Sequence, residues 1–277
     1  MEVCRALYRS GAGGASVARG ADMWNIRAML IRTRQLLRRT VPEPLRAQFA
    51  RARRAVQDRA NGTHHRLAVQ RDRAASGADG WHPVVTLRQT IRRSAWWEGK
   101  LANLQLGAGK LDGVILAPGQ MLSFWHLVGR PSAAAGFALG RGIRGDVPGG
   151  DIGGGLCQLS GITYELALRA GLSVAERHPH SRDIYRSEED RFAALGLDAT
   201  VVWPWKDLRV SNPHPAPIRL QFAVEGMELI AALSAAQPLQ TQALRLERED
   251  DAEQRRVAVW RGDVLISRDR YVVDRGA

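Results

Sequence analysis

The sequence predicts an α+β fold: a helical N-terminal part, one buried central helix, and a mainly antiparallel sheet after it. Three observations carry this. Apolar residues recur at helical spacing up to about residue 106, residues 158–170 are apolar on most faces, and short alternating or apolar runs follow from residue 172 to the C-terminus. A chain of 277 residues with 45% hydrophobic content can bury a sizeable core. All eight tryptophans but Trp24 lie in residues 81–260, which places the packed part there.

The first elements are basic. Residues 24–39 present Ile26, Met29, Leu30, Leu36 and Leu37 among arginines, an amphipathic pattern ended at Val41-Pro-Glu-Pro44. A second basic helix follows over residues 45–58 and stops near Asn61-Gly62. The first 75 residues hold 16 Arg against 5 acidic residues, so the formal charge of +12 belongs almost wholly to this arm. Such an arm suits an anionic membrane surface or an acidic partner, or is a solvated basic helix or disordered tail; its aromatic residues do not interleave the arginines in a nucleic-acid-like pattern, which argues against nucleic acid. Residues 1–22 are too polar and glycine-rich for a signal peptide, and no run reaches the roughly 18 apolar residues of a membrane span. The expected location is cytoplasmic or membrane-peripheral.

Residues 74–80 form a small-residue linker. The expected organisation is therefore a basic, partly disordered arm (1–75), a central domain (76–235) and a C-terminal β extension (236–277). Helical pattern returns over residues 94–106, with Gly107 and Gly109 as terminators. Two short strands flank Pro118-Gly119. Residues 136–155 contain nine glycines and read as a loop with many positions open to positive φ. The helix over 158–170 stops at Gly171. Strands then fall on residues 172–178, 198–203, 208–212, 218–226, 227–234, 243–249, 255–262 and 263–273, with tight turns at Glu225-Gly226 and Arg261-Gly-Asp263.

The chemistry concentrates in residues 149–183. Cys4 and Cys157 are the two cysteines, and Cys157 sits where the central helix begins. A helix N-terminus stabilises a thiolate, a nearby imidazole completes its activation, and a carboxylate orients the imidazole. The candidates are Cys157, then His180 or His178, then Asp198. That chain order is the order of papain-like and transglutaminase-like cores. Gly154, Gly155 and Gln158 can supply donors to an oxyanion. Arg177 can hold a substrate anion or pair with a neighbouring acid. Ser181 and His126 complete the candidate binding set. A second reading makes this a ligand-binding module that turns nothing over, with Cys157 as a packing residue. A third puts His178 and His180 on one strand face and joins them to Cys157, with Asp183 or water, as a zinc site. The first two readings require no cofactor.

Four stretches resemble the VanW-like family: NLQLGAGKLDGVILAPGQMLSFWHLVG, GGGLCQLSGITYELALRAGL, ERHPHSRDIY and DATVVWPWKDLRVSN. The resemblance covers roughly residues 81–235 and includes Asp207, Leu208 and Asn212 of the last stretch. It implies a cell-envelope and glycopeptide-resistance setting, with a peptidoglycan-related or other small ligand. It assigns no reaction, so the Cys-His-Asp reading rests on the residues themselves.

Overall fold

The computed structural model describes residues 40–72, 80–93, 95–144, 147–185 and 187–273. The basic segment 24–39, Cys4 and most of the linker lie outside them. The chain divides into two compact units, Met1–Ala52 and Arg53–Ala277, and the division falls within helix α1 (Glu43–Ala60). Everything below concerns the second unit.

The mixed α+β class holds. After α1 and a short helix α2 (Thr63–Arg66) come strand β1 (His82–Thr90), helix α3 (Trp97–Leu111), strands β2 (Ile115–Leu116) and β3 (Met121–Ser123), and a short helix α4 (Phe124–Val128). The hairpin β4 (Leu139–Arg144) and β5 (Val147–Ile152) leads into helix α5 (Leu156–Arg169). The remainder is strand: β6 (Ser173–Glu176), β7 (Arg182–Asp183), β8 (Arg209–Ser211), β9 (Ile218–Glu225), β10 (Glu228–Ala235), β11 (Leu244–Asp250), β12 (Gln254–Arg261) and β13 (Val264–Val273).

The strands form four sheets, ordered β1-β10-β9-β2, β11-β12-β13-β7, β3-β8-β6 and β4-β5. All pairings are antiparallel except β13 with β7, which run parallel. The expected hairpins at Gly226 and Gly262 are present, each glycine at positive φ.

Helix α5 is the centre of the core. Leu159, Ile162, Leu166 and Leu168 are fully buried, each contributing roughly 1.5–3 kcal/mol by burial. Helices α3 and α5 pack on one another over the β1-β10-β9-β2 sheet. Helix α3 runs through Gly107, where the sequence pattern ends it. The glycine serves packing instead: a Cβ there would lie 2.7 Å from Leu159 Cδ2 and 2.9 Å from Leu156 Cδ2. Its missing side chain sets how closely the two helices approach, and the surrounding burial outweighs the intrinsic helix cost of about 1 kcal/mol.

Two other expectations change, and one stretch that carried no expectation proves to be strand. The glycine-rich stretch contains a two-stranded hairpin, because backbone pairing needs no side chains. Residues 82–90 form β1, which pairs with β10. Residues 198–203 form no strand; they lie extended against α5 and turn at Trp203–Pro204, with Val202 bridged to Lys206. No helix among the described residues is long and apolar enough to cross a membrane.

Candidate active site

Three glycines bring the chain into α5. Gly153 and Gly155 have φ of 82° and 103°, and Gly155 is the residue before the first helical turn. Gly154 is pressed against the hairpin: a Cβ there would lie 2.3 Å from the Gly140 carbonyl carbon and oxygen. Asn103 of α3 ties the turn down, donating to Gly154 O at 2.9 Å and to Ala138 O at 3.0 Å. It also accepts from Ala138 N at 2.8 Å. Cys157 is thereby the second residue of α5, half-buried at the helix start.

One face of α5 then receives the segment 198–201. Ser160 Oγ donates to Ala199 O at 2.6 Å, and Gly161 leaves room for Ala199 N and Asp198 Cα. Cys157 Sγ lies 3.8 Å from Val201 O. Spacing i, i+3, i+4 puts these three helix residues on one face.

His180 comes from the connection after β6. Strand β6 ends at Glu176, so residues 177–180 are outside the ladder and the alternation expected of His178 and His180 does not apply. The two imidazoles take different partners. His178 Nε2 lies 3.0 Å from Glu176 Oε1. His180 Nδ1 lies 2.6 Å from Asp198 Oδ2, which also accepts from the His180 backbone N–H at 2.7 Å. With Nδ1 engaged, Nε2 is the ring nitrogen left for the Cys157 thiol, and the two side chains are close enough to shift each other's pKa.

The Asp198 carboxylate is buried and fully supplied with donors. Its other oxygen accepts from Tyr271 Oη at 2.6 Å and Arg177 Nη2 at 3.0 Å. Arg177 is itself enclosed: it donates to Asp198 O, Gly196 O and Asp269 Oδ2, at 2.7, 3.2 and 2.5 Å, and stacks over Tyr164. It therefore braces Asp198 from inside, where a substrate anion could not reach it. Tyr271 Oη also accepts from Gly196 N at 2.8 Å. Tyr271 and Asp269 are alternate, inward-facing residues of β13, an element the sequence reading kept apart from the site. The legible signal was an aspartate on the core face of a strand, which requires a partner.

The charges follow from this geometry. Burial alone would raise the Cys157 pKa, but the hydrogen bond and charge of His180 outweigh it and the thiol is held below its usual value. Burial opposes charge on His180 too, yet Asp198 and Cys157 push its pKa up to about 10. Burial of Asp198 is likewise overcome by His180, Arg177 and Tyr271, which keep it ionised well below the usual carboxylate range. The arrangement favours a thiolate–imidazolium pair with an ionised carboxylate behind it.

The remaining predicted residues are placed as follows. Gly154 N donates to Asp151 O, and the buried Gln158 side chain donates to Thr90 O at 3.1 Å. Ser181 is exposed and its carbonyl accepts from Val272 N. His126 is exposed on α4, and none of its hydrogen bonds among the described residues reaches Cys157, His180 or Asp198. Asp183 is buried in ion pairs with Arg191 and Arg255, which occupies the carboxylate the zinc reading needed. Among the described residues no three His, Cys, Asp or Glu side chains gather as a metal ion requires.

Residues 99–234 match the family model described as VanW like protein. The chain carries a VanW-like domain. It is 28% identical over 160 residues to the uncharacterised protein YoaR of Bacillus subtilis, covering 55% of this chain and 50% of that protein. It is 28% identical over 138 residues to the Vancomycin B-type resistance protein VanW of Enterococcus faecalis, covering 50% of each. The chain thus spans about half the length of these curated relatives. No solved structure matches. The VanW-like match contains Cys157, Arg177, His180 and Asp198, whereas Asp269 and Tyr271 lie beyond it.

Proposed function

We propose that the chain is a cysteine-dependent acyl-transfer or amide-hydrolysing enzyme acting on a peptide of the cell envelope. The observation that carries this is the His180–Asp198 hydrogen bond beside Cys157, whose thiol His180 holds below its usual pKa, with Asp198 held by four donors. The envelope setting is taken from what the family resemblance implies; the printed name of the VanW relative adds vancomycin resistance.

In this reading the Cys157 thiolate attacks the substrate carbonyl carbon and an S–C bond forms. The C–N bond breaks as His180 delivers its Nε2 proton to the leaving amine. Water, or an acceptor amine, then attacks the thioester while His180 takes up its proton. The acid or new amide leaves, and the thiolate–imidazolium pair is restored. Asp198 fixes the tautomer and orientation of His180 throughout.

The test is alkylation of Cys157 by iodoacetamide against pH in Cys4→Ser protein. An ordinary thiol titrates near 8.5, so its rate falls about tenfold per unit below that. Here the midpoint of the rate against pH should lie below that ordinary value, and His180→Ala should restore the ordinary profile. Cys157→Ala should abolish turnover of envelope peptides. An ordinary profile unaffected by His180→Ala would leave the non-catalytic binding module as the reading.

A further inference from the structure

A cleft of about 610 Å3 is lined by the end of β1, by Arg141 of β4 and by the segment after β7. Its charged lining is Arg92, Arg93 and Arg141, with Asp190 as the acid among the lining residues. Asp190 reaches Arg92 only at 3.9 Å between two half-exposed side chains, a separation worth little in water. Arg93 stacks over Trp97 at 4.8 Å, which fixes its stem at the rim. Arg141 has no acidic partner among the described residues. Lys100 also lacks one, and it packs under the glycine turn, where a Cβ on Gly155 would meet its Cγ at 2.7 Å. Burial, and then the nearby Arg141, push Lys100 down to about 8.

Ring contacts and one hydrogen bond link the cleft to the thiol's surroundings. Tyr185 lines it, and the Phe192 ring bridges Tyr185, at 6.2 Å between centroids, to His180 at 6.3 Å. Thr90, also in the lining, accepts from the residue next to Cys157. Both Arg141 and Cys157 lie within electrostatic reach of the Tyr185 phenol. Cations in excess around a concave wall draw in an anion, and a guanidinium fork matches a carboxylate in two parallel bonds.

We propose that this cleft holds a carboxylate of the peptide substrate, with Arg141 as its main partner and Arg93 as the second, beside the reacting thiol. The chain would then act on acidic peptides in preference to neutral ones. The catalytic meaning rests on the function proposed above, but the binding does not.

The test separates the two. Full-length Cys157→Ala protein is titrated calorimetrically with N-acetyl-trialanine as the free acid, with its C-terminal amide, and with inorganic phosphate. The acid should bind about tenfold tighter than the amide, and Arg141→Gln should remove the difference. Equal binding of acid and amide, or no binding of either, overturns the proposal. Phosphate binding as tightly as the acid overturns the carboxylate assignment. In Cys4→Ser protein the acid should also slow iodoacetamide alkylation of Cys157. If the thiol is unreactive throughout, the nucleophile reading fails while the calorimetry still decides the cleft.

Discussion

Asp198 is the residue on which the site turns. It is a buried carboxylate, and burying a charge is costly unless every lone pair is used. Arg177, Tyr271 and two nitrogens of His180 use them. Tyr271 is therefore a positioning residue, acting on the thiol only through Asp198 and His180. Tyr271→Phe should cost about 1–3 kcal/mol in urea unfolding, because Asp198 and the Gly196 N–H each lose a buried partner. A structural role alone would stop there. The positioning role also predicts that the midpoint of Cys157 alkylation moves to higher pH, since an Asp198 released from Tyr271 no longer fixes the orientation of His180 toward the thiol.

The glycine turn and α5 act as one element. Gly154 touches the backbone of Gly140 and Arg141, and backbone cannot step aside as a flexible side chain can. Gly154→Ala should therefore destabilise by about 1–3 kcal/mol and lower the Cys157 alkylation rate by displacing the helix start. Urea unfolding and alkylation on the same sample read both effects. Several residues of the VanW-like stretches work at this scale as braces. Asn103 holds the hairpin to α3, and Asn212 ties Leu116 O and Ala216 O. Asp207 accepts from Ser123 Oγ at 2.6 Å and Trp125 N at 3.0 Å, fixing the entry to α4. The motif text thus encodes scaffold as well as chemistry.

Across the whole molecule, ionisable groups shifted in opposite directions set a stability window. Burial of Glu176 would raise its pKa, but Arg54, the Asp207 N–H and His178 bring it down to about 2. Its folded pKa lies below the unfolded value of about 4.3, so its contribution is present above that pH and is lost as pH falls toward 2. Asp198 behaves alike. His180 has the opposite sign: raised to about 10, it stabilises fully below its unfolded value of about 6.5 and ceases to do so as pH rises through 10. The lowered Cys157 thiol offsets His180 up to the unfolded thiol value of about 8.5, so urea unfolding against pH should show a plateau from about 4.5 to 8.5 with a fall on either side. Glu176→Gln should lower the plateau and flatten the acid limb. An acid limb unchanged by that substitution would place the lost stability elsewhere.

The sequence by itself determined the α+β class, the start of α5 at Cys157, the hairpins at Gly226 and Gly262, and the nearness of a histidine and Asp198 to the thiol. These are local features: a glycine at positive φ, a periodicity, and a chain order shared with known families. Only the tertiary structure decided which histidine faces the thiol, because that choice follows from where β6 ends and which carboxylate each ring meets. It also turned Arg177 from a ligand contact into an internal brace. It made Tyr271 and Asp269 part of the site across 73 and 92 residues of chain. Such pairings leave no period in the sequence. A buried charge is satisfied by whichever donors the packed strands bring to it, and that is settled only when the β12–β13 hairpin closes over Asp198.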